Sequence, residues 1–236
     1  MCSFRTSSIF AFVFLLLTAP FVPAQTAADA TEGESPWTHL NVVQVKPERL
    51  TEWIEFQRNE VMPALKAAGI PSRNVWQTAV FGNSFEFVFA TPIANFAQYD
   101  QPHPAVRSLG EEQARNLFQE FREFVVSSRN SAIQFRRDLS YEGEMDGPPN
   151  LAVVNSVSVM PGKTTEFENL LKSEVRPVME KAGVKGFLVF ETVFGGIGNE
   201  FVMLVLRDNF AQIDEGPPFL KVLGPEGSRK LIQKLG

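Results

Sequence analysis

Over residues 37 to 46 apolar and polar positions alternate, with Asn41, Val43 and Val45 on one side of an extended chain and Leu40, Val42 and Gln44 on the other. A period of two predicts a strand. Pro47 ends it and opens a helix, because a proline in the first helical turn forfeits no hydrogen bond. Leu50, Trp53, Ile54, Val61, Leu65 and Ala68 then recur at steps of three and four, and Gly69 supplies the C-terminal stop. Pro63, inside this helix, removes one backbone bond at a cost of about 3 kcal/mol in an isolated helix, and predicts a bend. Residues 73–81 and 85–91, rich in Val, Phe, Trp and Thr, predict two strands joined by a Gly82-Asn83-Ser84 hairpin. A helical turn at 95–98, a longer helix from Pro104 to about Ser128 and a strand over 131–141 complete a strand–helix–strand–strand–helix–strand plan.

The same pattern returns 114 positions later. Residues 41–122 laid on 155–236 without a gap match at about 29 of 82 places, and Pro177 and Gly183 repeat Pro63 and Gly69. Gly236 falls on Arg122, so the second copy contains no counterpart of the last strand, and its sheet is expected to keep an open edge able to pair with another chain. The glycine-rich turn from Gly195 to Asn199 joins two strands, whereas a phosphate cradle joins a strand to a helix. The expected fold class is α+β, with two tandem ferredoxin-like (βαββαβ) halves. The first spans 37–141 and the second 151–236, with a linker at 142–150.

Composition narrows the function classes. The net charge of −5 is spread over interspersed acids and bases with no basic run, which argues against nucleic acid as a partner. Residues 1–24 read as a signal peptide: Arg5 supplies positive charge, 9–17 form an apolar run, and Val22-Pro23-Ala24 places small residues at the cut. Nine apolar residues are too few to span a bilayer, which takes about 20. The expectation is export to the periplasm or beyond, with no stable membrane span after cleavage and a flexible linker at 25–36. Cys2, the sole cysteine, lies in that segment, so the mature chain would hold no thiolate, and its two histidines are too few for zinc or copper. No cofactor or metal is expected.

A proline-bent first helix within a β–α–β–β–α–β half, doubled in one chain and carrying the patches VMPALKAAG and VRPVMEKAG, resembles the dimeric α/β barrel superfamily. Antibiotic biosynthesis monooxygenases, haem-degrading monooxygenases and NIPSNAP proteins belong to it. The resemblance implies two halves packed through their sheets as a pseudo-dimeric α/β barrel, with apolar cavities that in some members hold an aromatic substrate or haem. Some members oxidise a substrate with dioxygen and no cofactor. Asn41 and Asn155 match the first-strand position where relatives carry a functional asparagine; a residue of this type also ties down a strand entrance.

Tyr99 and His103, four residues apart after the short helical turn, are a second catalytic candidate, since a histidine beside a phenol suits acid–base work. Ile213 and Pro217 replace them in the second copy. Thr78, Glu86, Thr192 and Glu200 are equivalent pairs on the second and third strands and, with Trp76, are candidate ligand contacts. His39 lies at the entrance of the first strand without a partner legible in the sequence. The leading expectation is a protein that binds a small, mostly apolar ligand. A cofactor-independent monooxygenase and an assembly module, pairing through the open edge as a homo-oligomer, are the alternatives.

Overall fold

The computed structural model of the protein describes residues 12–15, 37–70, 73–145 and 147–235. The first stretch is strand β1 (Phe12–Leu15); the rest of the expected signal segment and the 25–36 linker lie outside the described residues. The chain divides into two compact units, one built from 37–78 and 83–131, the other from 132–235 with 12–15 and 79–82.

The first unit contains β2 (Trp37–Val45), α1 (Leu50–Phe56), α2 (Met62–Ala67), β3 (Asn74–Thr78), β4 (Glu86–Pro92), α3 (Pro104–Leu109), α4 (Glu111–Phe124) and the start of β5 (Val125–Phe135). Its strands lie in the order β5-β2-β4-β3, the ferredoxin-like arrangement of fourth, first, third and second. Antiparallel pairing sets Asn41 opposite Phe89 and Val43 opposite Phe87, and sets Val75 opposite Phe89 from the other side. Alternation therefore turns Val43, Val45, Phe87 and Phe89 to the helices, where they pack with Trp53, Phe56, Ala114, Leu117 and Phe124. Trp53 is the hub of this core: it is fully buried, with five phenylalanine rings at 5.5–6.2 Å.

The predicted bend takes a defined form. Between α1 and α2, Gln57–Val61 widens into a π turn, and the Met62 N–H bonds to the Gln57 carbonyl five residues back. Pro63, lacking a donor, follows directly.

The second unit holds β6 (Tyr141–Glu142), β7 (Leu151–Ser158), α5 (Thr164–Leu170), α6 (Arg176–Lys181), β8 (Gly186–Phe194), β9 (Glu200–Arg207), α7 (Ala211–Asp214) and α8 (Pro218–Leu235). Its strand order is β1-β7-β9-β8-β6, and Ala132–Phe135 at the end of β5 also pairs with β8. A π turn, Leu171–Val175, separates α5 from α6, with the Arg176 N–H on the Leu171 carbonyl ahead of Pro177. Phe167, Leu171, Phe187, Val189 and Phe201 form the centre of this core. Arg136 binds the second unit's helix and sheet together: it donates to Glu168 on α5, to Glu191 on β8 at 2.8 Å, and to Asp138. Burial works against its charge, but the three carboxylates outweigh that and hold its pKa above the ordinary arginine value.

Two expectations shift. The long helix from Pro104 is broken at Gly110, whose φ of 82° is left-handed, and Gly224 with φ 64° interrupts α8 in the same way. The strand expected at 131–141 begins at Val125, where two β-branched valines favour extension, and a turn divides it from β6. In the full chain the edge of β7 carries β1, with Phe12 opposite Val154 and Leu15 opposite Leu151, a strand that cleavage of the expected signal segment would remove.

Candidate functional site

The start of β2 gathers the polar side chains of the first unit. Asn41 Nδ2 donates to Ser128 Oγ and to Asn130 Oδ1, each at 2.8 Å, linking β2 to β5. His39 Nε2 meets the same Asn130 oxygen at 2.9 Å. The Asn41 donor orients the Asn130 amide, and His39 Nε2 shares its oxygen when that nitrogen carries the ring proton. From His39 a row of rings runs outward: Tyr99 at 6.1 Å, Phe96 at 6.4 Å from Tyr99, and Trp37 at 5.3 Å from Phe96. Tyr99 is 53% exposed and Phe96 37%, so apolar ring surface stands beside an amide network. His39, Ser128 and Asn130 join Asn41 only through contacts 87 to 91 residues apart.

His103 is held elsewhere. Its Nδ1 accepts the Ala105 N–H at 3.1 Å, capping α3, and its ring meets Phe118 edge-on at 4.9 Å. Burial first, then the charges of Arg107 and His39, push its pKa below the ordinary value. Thus Tyr99 faces His39, while the His103 ring is engaged by α3 and α4. Asn155 lies opposite Met203, and β1 ends its pairing one residue earlier, at Val154.

The remaining candidates sit at strand ends. Trp76 lies opposite Val88, and Thr78 is buried with no partner for its hydroxyl. Glu86 accepts from Asn83 in the hairpin at 3.0 Å. Thr192 and Glu200 close around Gly196, where an added Cβ would stand 2.4 Å from Thr192 Cγ2 and 2.9 Å from Glu200 Oε2. Two surface hollows belong to the second unit, one of about 370 Å³ beside the break in α8 and one of about 170 Å³ near Lys185, Arg207 and Lys221. Neither is lined by these candidates.

A charged residue absent from the sequence-based candidates lies inside the first unit. The Arg73 guanidinium sits 4.3 Å from the centre of the Phe89 ring and donates from Nη2 to Gln57 Oε1 of the π turn. Its Nε is sealed and lacks an acceptor, and burial pushes its pKa down to about 10. The residue as a whole keeps part of its surface, so the fork is not wholly shut off. Trp53 Nε1, whose indole also lies against Phe89 at 6.0 Å, is a second sealed donor without a partner.

Among the described residues no group of three His, Cys, Asp or Glu side chains is placed to hold a metal, and no helix is long and apolar enough to cross a membrane.

Two solved structures share this architecture. One, from Lactobacillus acidophilus, is described as a "putative monooxygenase" and superposes with a TM-score of 0.53 at 10% identity, over 85% of this chain and 87% of that one. The other, an anthrone oxidase-like protein, gives 0.56 at 15% identity over 84% of each chain. The likeness is one of fold: the chain has a ferredoxin-like α+β architecture. A scan against protein-family models gives no match, and neither does a search of curated proteins.

Proposed function

We propose that the first unit binds a small, mostly apolar, planar ligand, with its body on the Trp37, Phe96, Tyr99 and His39 rings and a hydrogen-bonding group at the Asn41–Asn130 network. The carrying observation is the part-exposed ring row ending at the His39–Asn130 bond. The part-exposed Phe96 and Tyr99 rings beside an amide cluster supply what such a ligand needs: apolar area and a few polar contacts. Native mass spectrometry of the protein purified from its own host tests this. A retained small molecule that is lost in Tyr99→Ala with Phe96→Ala supports the reading; protein that leaves its host empty, and whose tryptophan emission is unmoved by anthrone, ends it.

A second reading is favoured by the His39 imidazole standing beside the Tyr99 ring: oxidation of an activated methylene by dioxygen without a cofactor. His39 takes one proton from the carbon, the resulting carbanion reduces dioxygen, and R2CH2 + O2 gives R2C=O + H2O. Oxygen uptake with anthrone, lowered at least about a hundredfold in His39→Gln, is the expected result. Uptake unchanged in that variant removes His39 from the reaction. The composition of residues 1–24 supports placing this activity outside the cytoplasm.

A further inference from the structure

Four of the aligned interior positions at which the two units differ bear on chemistry. Trp53, Gln57, Arg73 and Phe89 of the first correspond, 114 residues on, to Phe167, Leu171, Phe187 and Met203 of the second. Phe167, Leu171 and Phe187 are at most 2% exposed and sit in one apolar cluster. The fold is thus closed satisfactorily by hydrocarbon at these places, and packing does not require an indole N–H, an amide or a guanidinium.

Their presence is costly. Burying a tryptophan contributes roughly 4–6 kcal/mol from its 150–250 Å² of area, and a phenylalanine contributes most of that without a donor to satisfy. Each buried donor without an acceptor costs about 1–3 kcal/mol. Trp53 Nε1 and Arg73 Nε both carry that cost, and both side chains lie against Phe89. Gln57 occupies one Nη2 donor of Arg73, and no acidic side chain among the described residues neutralises the guanidinium. Neighbouring donors of one arginine fork match the two oxygens of a carboxylate.

We infer that the ligand of the first unit carries a carboxylate, held against the Phe89 ring by Arg73 with Trp53 Nε1 as a second donor, so the substrate class is a small acid with an apolar body. This rests on the ligand-binding reading above and adds the charge of the ligand. Entry requires the helix layer to give way, and the π turn that holds Gln57 lacks the regular four-step hydrogen bond at that place.

Benzoate and benzamide, equal in shape and unequal in charge, test it by calorimetric titration of the full chain at fixed ionic strength. Benzoate is expected to bind at least about tenfold tighter than benzamide. Arg73→Phe with Gln57→Leu, which copies the second unit, abolishes that preference while keeping the melting temperature, because an apolar replacement of a buried polar pair is neutral or stabilising. Trp53→Phe, also copied from the second unit, weakens benzoate alone. Equal binding of both probes overturns the carboxylate and leaves the ligand reading standing. Binding of neither, or a preference that survives the double variant, overturns the inference, and the mass spectrometry then judges the ligand reading by itself.

Discussion

The Asn41 amide donates to the Asn130 side-chain carbonyl at 2.8 Å, and through that oxygen it shares a partner with His39. Asn41→Ala removes two hydrogen bonds between β2 and β5, and should lower stability by about 1–2 kcal/mol in urea unfolding. Asn130→Ala leaves Asn41 its bond to Ser128 but frees the His39 ring. The expected result is a smaller loss of stability with a larger loss of ligand affinity. Equal losses of both quantities in the two variants would show that the network serves the sheet alone.

His103 makes stability depend on pH. Its folded pKa lies below the ordinary 6.5, so the folded chain prefers the neutral ring, whose Nδ1 accepts from Ala105. Its contribution is complete above about 6.5 and shrinks as pH falls, because protonation removes the cap's acceptor. Melting temperature should drop between pH 7 and pH 5, by less in His103→Asn, which keeps a capping acceptor without a titrating ring. Identical pH profiles for both proteins would exclude His103 as the source.

Arg136→Leu leaves Glu168 and Glu191 facing each other without the shared guanidinium. The variant should be destabilised by about 1–3 kcal/mol at neutral pH, and the deficit should narrow as acid neutralises the two carboxylates. Urea midpoints at two pH values measure both effects.

Gly186→Ala would bring a Cβ to 2.7 Å from Leu206 Cδ1, and Leu206 is itself buried and cannot swing clear. Overpacking of this kind costs about 1–3 kcal/mol, and the same variant with Leu206→Val should recover part of it.

Much of the scaffold could be read from spacing. Alternation located β2, steps of three and four located α1 and α2, and prolines 63 and 177 marked where the helices depart from regularity. Boundaries were less legible where one stretch serves two periods: Phe121, Phe124 and Val125 suit a helix face and a strand equally, and only the tertiary fit ends α4 at Phe124. The break at Gly110 had a visible signal in its glycine, though the apolar positions run on through it. Of the residues in the candidate site, Asn41 and Tyr99 were among those the sequence singled out. His39 acquires meaning only through Asn130, and no local pattern announces a contact across 91 residues. Arg73 was hidden for a different reason: charge predicts exposure, and its burial is hinted at only by Phe187 standing at the matching place.

The π turn also governs which way the second stretch of each bent helix faces. It inserts one residue beyond the regular ladder, and a residue is worth about 100° of rotation. Excising a single position between Gln57 and Val61 would straighten the helix and swing buried Ala64 toward water while carrying Gln57 off Arg73. One surplus amino acid thus acts as the phase setting of the whole layer.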